Sequence, residues 1–158
     1  MKSRLGVAPE VISGEEEAAL SFAGATKEMS DSLAPFLVVD IGGGSTEFVI
    51  GNRSVESAKS VNMGCVRMSE RHFKSDPASH HEIEAARKDI QEAIAVAASY
   101  VDIKSAKSLI AVAGTATTVA AASLNLPAYD RYAIHLSRIS AEQTHQTAEM
   151  FLKMNRKE

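Results

Sequence analysis

A run of three glycines, Gly42, Gly43 and Gly44, is followed by Ser45 and Thr46 and is the most informative stretch of the sequence. Because glycine has no Cβ, consecutive glycine amides can converge on one concavity and approach an anion closely. The two hydroxyl side chains add further hydrogen-bond donors. This stretch therefore predicts a phosphate-binding loop.

Two carboxylates bracket the loop, Asp40 before it and Glu47 after it. Carboxylate oxygens suit hard cations, and Mg²⁺ in proteins is commonly held between one or two carboxylates and a phosphate group. The pair predicts a Mg²⁺ site beside the loop, with Asp40 and Glu47 as the metal ligands.

The loop differs from two other phosphate motifs. No Lys follows the glycines, as a P-loop would need, and Glu47 stands where a dinucleotide fingerprint has its third glycine. The apolar runs 36–39 and 47–50 predict a strand on each side, so the glycines form the turn of a hairpin. A purely structural hairpin turn is the alternative, and the flanking acids and hydroxyls favour binding.

A second candidate anion site lies at Gly114 and Thr115, between a predicted strand at 109–113 and an alanine-rich helix at 116–124. Amides at the start of a helix attract anions. The alternative is a tight turn with Thr115 as the N-cap of the helix.

Ser13 and Glu16 form a capping box at the start of the first predicted helix. Acidic residues in a first helical turn stabilise the helix through its dipole, by about 0.3–1 kcal/mol each, which accounts for Glu15 and Glu16. Glu17 lies one step beyond the best positions and is left as a candidate for a chemical role.

The remaining elements follow from apolar periodicity and two further capping boxes, Ser79–Glu82 and Ser140–Gln143. A third strand is predicted at 55–63, a short helix at 65–73, and the last helix through residue 154. Strands joined by helices in this order predict an α/β layer structure with a mixed sheet flanked by helices.

The composition narrows the function classes. The chain of 158 residues has 17 basic and 20 acidic side chains, a net charge of −3, which argues against a nucleic-acid partner. No apolar run reaches the roughly 18 residues of a membrane span, so no membrane partner is predicted. The single cysteine, Cys65, permits no internal disulfide and agrees with a cytoplasmic location.

Four strings, VISGEEEAALSFAGA, VVDIGGGSTEFVIG, VNMGCVRMSERH and AVAGTATTVAA, resemble the exopolyphosphatase/guanosine pentaphosphate phosphohydrolase family of the actin-like ATPase superfamily. Together they cover nearly the whole chain. The resemblance implies a ribonuclease H-like (actin-like ATPase) fold and a Mg²⁺-dependent hydrolase. Such an enzyme releases the terminal phosphate of polyphosphate or the 5′ γ-phosphate of guanosine pentaphosphate, and a homodimer is implied for the full-length protein.

The resemblance also implies roles for the candidate residues. Glu17 resembles the catalytic base that activates water, and Asp40 and Glu47 resemble the carboxylates that hold the metal and the attacking water. Residues 42–46 resemble the second phosphate loop, and Gly114–Thr115 resembles the turn that closes the nucleotide-side pocket. Many relatives have Arg where this chain has Ala19, which leaves a polyphosphate contact at that point in doubt.

Family members begin with a D-x-G-S/T-N-S-type loop that this sequence lacks, and the usual closing strand after the last helix is absent. We therefore expect residues 1–34 to be a crossover strand and helix from the end of a first domain. Residues 35–158 would be the second domain without its last strand. The chain alone is expected to be inactive, and its first helix is expected to lack the sheet on which it normally packs. Two other functions remain open, the phosphate-binding lobe of an actin-like sugar or acetate kinase and a non-catalytic phosphate-sensing module.

Overall fold

The computed structural model describes residues 12–155 together with Gly6. Its centre is a mixed sheet of four strands, β1 (Phe36–Ile41), β2 (Thr46–Gly51), β3 (Val55–Val61) and β4 (Ser108–Val112). Their order in the sheet is β3-β2-β1-β4. The β1–β2 and β2–β3 pairs are antiparallel, whereas β1 and β4 are parallel.

Helices flank this sheet, which confirms the predicted α/β architecture. All three predicted capping boxes are present, with Ser13, Ser79 and Ser140 as the N-cap residues. In the described part of the chain, no helix is both long and apolar enough to cross a membrane. The helices are α1 (Gly14–Thr26), α2 (Cys65–His72), α3 (His80–Ala98), α4 (Ala113–Ser123), α5 (Arg131–Ile134) and α6 (Ala141–Phe151).

Strand β1 is the centre of the core because both of its faces are covered. Its first four residues, 36–39, are all buried, as expected for an uninterrupted apolar run. Val38 packs in a cluster with Phe22 of α1, and Val39 packs on the opposite face with Ala97 of α3. The two clusters fix the position of the end of β1, where the glycine loop begins.

Helix α1 packs directly on this sheet, so the expectation that it would lack a supporting sheet is wrong. Ala18 and Phe22 are 3% and 1% exposed and lie in one cluster with Phe36, Val38 and Val49. The sheet therefore has apolar cover on this face from within the chain.

One further difference concerns an element boundary. Helix α4 begins at Ala113 with Val112 as its N-cap, so Thr115 is inside the first turn and is not the N-cap. Of the stretch before α1, where the crossover strand is predicted, residues 1–5 and 7–11 lie outside the described residues. The division of the chain at residue 34 stays a prediction.

Strand β4 lies at one edge of the sheet. Leu109, which pairs with Leu37 of β1 in the parallel register, is 67% exposed. Leu37 is 3% exposed. Apolar cover over this face of the sheet therefore stops between β1 and β4 in the part of the chain that the structure describes.

Replacement of Phe22 by Ala should destabilise the chain by about 3–5 kcal/mol, since it removes a fully buried aromatic side chain that joins α1 to the sheet. Urea denaturation followed by circular dichroism measures this loss. Leu20→Ala is the matched control, because Leu20 is 64% exposed on the same helix and should change stability by less than about 0.5 kcal/mol. Equal losses in both variants would contradict the packing of α1.

Candidate functional site

The two predicted anion sites lie next to each other at the carboxyl ends of β1 and β4. Because β1 and β4 are parallel, the loop after β1 and the first turn of α4 after β4 emerge side by side. Between them lies a pocket of about 420 Å³. The residues lining it are Ile41, Gly42, Gly43, Cys65, Gly114, Thr115, Thr118, Val119 and Phe151.

The start of α2 lies against the glycine loop and binds its carbonyl groups. The amide of Cys65 donates to the Gly42 carbonyl at 3.0 Å, and the amide of Arg67 donates to the Gly43 carbonyl at 3.0 Å. The Nε of Arg67 donates to the Gly44 carbonyl at 2.6 Å. All three glycine carbonyls are thus occupied by α2.

The loop amides consequently face away from α2. In a trans peptide the C=O and N–H groups point in opposite directions, and the loop has no cis peptide bond. Among the described residues, no hydrogen bond uses the amides of Gly43, Gly44 or Ser45, while the Gly42 amide donates to the Ser45 carbonyl at 3.0 Å. Three unused N–H groups on one side of a loop form an anion-binding concavity.

Gly64, the N-cap of α2, makes this arrangement possible. A Cβ at this position would lie 2.4 Å from the carbonyl carbon and oxygen of Gly43 and 2.5 Å from the nitrogen of Gly44. Only glycine allows the two backbones to approach so closely. Sequence reasoning missed this residue, and its one signal is a glycine directly before a predicted helix.

The two predicted metal ligands are directly opposite each other. Asp40 and Glu47 are cross-strand partners in the β1–β2 pair, which puts both side chains on the face covered by α1. Ser21 Oγ donates to Asp40 Oδ2 at 2.9 Å, and Ser60 Oγ donates to Glu47 Oε1 at 2.7 Å. The second oxygen of each carboxylate takes no part in these two hydrogen bonds.

This donor set suits Mg²⁺. Groups of three or more potential metal-ligating side chains do not occur among the described residues, so a cation here would have at most two carboxylate ligands. Mg²⁺ is usually held by one or two carboxylates together with waters and substrate phosphates. Glu47 is only 6% exposed, and its remaining oxygen therefore has little access to bulk water.

Glu17 lies on the loop side of this pair. It precedes Ser21 by four residues, so it occupies the same helical face about 6 Å nearer the helix N-terminus. Ser21 contacts Asp40 near the end of β1, whereas Asp31, which follows α1, pairs with Arg53 in the β2–β3 turn at the opposite end of the strands. Helix α1 therefore runs opposite to β1, so Glu17, whose side chain is exposed, lies one helical turn beyond Ser21 toward the end of the sheet that carries the glycine loop.

Two predicted hydroxyl donors differ in their availability. Thr46 is fully buried, and its hydroxyl donates to the carbonyl of Met63, so it is engaged inside the protein. The hydroxyl of Thr115 is buried without a partner among the described residues and borders the pocket. Of the two hydroxyls, Thr115 Oγ1 is therefore the one that is not already used in a hydrogen bond among the described residues.

Helix α2 is tied to α3 by an ionic cluster. Arg71 Nη1 and His72 Nε2 lie 2.6 and 2.8 Å from Asp89 Oδ2. Hydrogen bonds from His72 and then Arg71 hold the pKa of the Asp89 carboxyl below its ordinary value. This cluster supports the helix that in turn supports the glycine loop.

The chain belongs to the Ppx/GppA phosphatase family, whose model matches residues 1–158. The family assignment confirms the resemblance and favours a phosphatase over an actin-like kinase.

Exopolyphosphatase 2 of Mycobacterium tuberculosis is 42% identical over 153 residues, which are 97% of this chain and 48% of that protein. A guanosine-5′-triphosphate,3′-diphosphate pyrophosphatase of Vibrio cholerae is 51% identical over 71 residues, 44% of this chain and 14% of that protein. The crystal structure of an exopolyphosphatase-like protein superimposes with a TM-score of 0.94 at 43% identity, over 99% of this chain and 51% of that one. The chain thus spans about half the length of these first relatives.

Replacement of Gly64 by Ala should destabilise the chain by about 1–3 kcal/mol and move the loop, because the new methyl group overlaps the Gly43 backbone. Urea denaturation gives the loss, and amide chemical shifts of residues 43–45 report the movement. Gly24→Ala in α1 is the control, since a Cβ there meets nothing within 4 Å. A Gly64 variant with native stability and unchanged loop shifts would disprove the close contact.

Acid should weaken the link between α2 and α3. Because the pKa of Asp89 is lowered in the folded chain, its contribution to stability is present above the unfolded pKa and is lost as the pH falls below about 4. The free energy of unfolding of Asp89→Asn should therefore depend less on pH in this range and be lower at pH 7. Asp102→Asn, where the side chain makes no capping bond, is the control. Identical pH profiles for the wild type and Asp89→Asn would contradict this assignment.

Proposed function

We propose that this chain supplies the second-domain half of a phosphoric anhydride hydrolase. Its substrate would be inorganic polyphosphate, from which it releases terminal phosphate, or guanosine pentaphosphate, from which it releases the 5′ γ-phosphate. The observation that carries this proposal is the juxtaposition of three outward-facing loop amides with the Asp40–Glu47 pair at one strand end. The names of the Mycobacterium tuberculosis and Vibrio cholerae relatives support both substrate classes.

In this proposal the amides of Gly43, Gly44 and Ser45 bind the nonbridging oxygens of a substrate phosphate. Asp40 and Glu47 would hold Mg²⁺, which when bound offsets the negative charge that develops on the phosphoryl oxygens. Ser21 and Ser60 orient the two carboxylates through the hydrogen bonds already described. The unpartnered hydroxyl of Thr115 is a further donor from the opposite wall of the pocket.

Glu17 is the proposed general base. The oxygen of a water molecule attacks the terminal phosphorus, and the bond from that phosphorus to the bridging oxygen breaks. The shortened phosphate chain leaves with the electron pair, and the Glu17 carboxylate accepts the proton of the water. A positioned base of this kind contributes roughly 10²–10⁴ to the rate.

The chain alone is proposed to bind phosphate without turning it over. Phosphoryl transfer depends on positioning and on charge stabilisation from several sides, and this chain offers the phosphate loop of one side. A segment carrying the D-x-G-S/T-N-S loop would complete the site. A cytoplasmic location and a homodimer of the longer protein belong to the same proposal.

The test compares two proteins in phosphate release from polyphosphate and from guanosine pentaphosphate with Mg²⁺. One is the 158-residue chain, and the other has the chain joined to the part of the Mycobacterium tuberculosis relative that lies outside the match. Activity is expected only in the joined protein. Binding of polyphosphate by both proteins with no release by either would favour the phosphate-sensing module.

In the joined protein, Glu17→Gln should lower the rate of phosphate release by about 10²–10⁴ with little effect on stability, because an exposed carboxylate is replaced by an amide of the same shape. Glu16→Gln is the matched control. Its side chain belongs to the capping box with Ser13, and glutamine can keep that role. A rate within a few-fold of wild type in Glu17→Gln, or equal losses in both variants, would remove Glu17 from the mechanism.

A further inference from the structure

The carboxylates at the glycine loop present an electrostatic difficulty for a polyanionic ligand. Asp40 and Glu47 pair one position before the strand ends that the loop joins, and Glu17 lies at the same end of the sheet. A chain of phosphates is repelled by these carboxylates, so its binding needs positive charge at the loop. Among the described residues, one cationic side chain makes a hydrogen bond to the loop, and this is Arg67 of α2.

Arg67 is held at the loop rather than extended into solvent. Its amide donates to the Gly43 carbonyl, and its Nε donates to the Gly44 carbonyl at 2.6 Å. Its Nη2 lies 3.4 Å from the position that a Cβ on Gly44 would take. The guanidinium is therefore positioned at the outer turn of the loop by two backbone groups.

The terminal nitrogens of Arg67 remain available. The two Nη groups carry four N–H donors, and none is used in a hydrogen bond among the described residues. The other arginines nearby in sequence differ, since Arg53 pairs with Asp31, and Arg71 pairs with Asp89. Arg67 has no carboxylate partner within the described residues.

We propose that Arg67 is a substrate-binding residue that binds a second phosphate of a phosphate chain, where the chain passes around the outer turn of the loop from the side of the amides to the side of α2. This inference rests on the proposed function and names a determinant of that site. A guanidinium presents parallel N–H donors that match two phosphate oxygens, which a lysine ammonium cannot do. Arg67 thereby favours a chain of phosphates over a single orthophosphate ion.

The experiment measures binding of linear inorganic polyphosphate of one defined length to the 158-residue chain, at several salt concentrations, by isothermal titration calorimetry. Arg67→Gln should weaken binding roughly tenfold to hundredfold, as expected for the loss of charge-assisted hydrogen bonds. The slope of log Kd against log salt should fall by about 0.7–1, as for the loss of one phosphate contact on a linear polyanion. Arg67→Lys should weaken binding less and keep the slope.

Arg53→Gln is the matched control, because it removes the same charge in the β2–β3 turn, at the end of the strands opposite to the glycine loop. It should change the affinity less than twofold. Thermal unfolding checks each variant, and if Arg67→Gln does not fold, Arg67→Met takes its place in the comparison with Arg67→Lys. Equal weakening in the Gln and Lys variants with an unchanged salt slope would show that Arg67 only supports the loop, which overturns the inference. Unchanged affinity in Arg67→Gln overturns it as well. A folded wild-type chain that does not bind polyphosphate would overturn the proposed function itself, and the inference with it.

Discussion

The backbone of Gly64 against the backbone of Gly43 and Gly44 is the contact on which the site depends. The space between them is too small for a single methyl group. This close approach brings the first amides of α2 within reach of the loop carbonyls, and those bonds turn the remaining loop amides outward. The same approach places Arg67 at the loop. The conformation of the glycine loop thus depends on two chain segments, the hairpin between β1 and β2 and the start of α2.

Local patterns predicted the elements well because local physics forms them. Capping boxes join residues three positions apart, and all three are present as predicted. The roles of Gly64 and Arg67 were missed because they depend on contacts across roughly twenty residues, which packing of α2 creates. The uninterrupted apolar run 36–39 indicated that both faces of β1 are covered by other elements. The expectation that α1 would lack a supporting sheet did not take this into account.

The hydroxyl of Thr46 shows that residue types alone do not predict which side chains of a loop are available for binding. Side chains alternate between the faces of a strand, so Thr46 and Glu47 cannot both point to the same side. Glu47 lies on the α1 face with Asp40, and Thr46 is buried against Met63. Period-two alternation, applied from Thr46 onward, would have separated these two residues from the sequence alone. The partners of the carboxylates, Ser21 and Ser60, required the fold, since neither is near them in the chain.

The serine partners suit the chemistry of a cation site. A hydroxyl donor satisfies one oxygen of a carboxylate without cancelling its charge, whereas an arginine or lysine would compete with a metal ion. Asp40 and Glu47 are each held by such a hydroxyl, and the guanidinium of Arg67, the one at the loop among the described residues, is bound to a carbonyl instead. In the proposed site, the negative charge for a cation and the positive charge for a phosphate therefore lie on separate groups.

Each glycine peptide of the loop is fixed by a bond to its carbonyl oxygen, and this has a consequence for the entropy of binding. Three successive glycines would otherwise interconvert among many backbone conformations, and ordering them costs more entropy than ordering any other residues. Rotation of the Gly43–Gly44 peptide plane would break the bond from the Arg67 amide, and the neighbouring planes are held in the same way. The ordering cost is therefore met when the chain folds, so the anion proposed to bind here would meet donors whose geometry is already fixed.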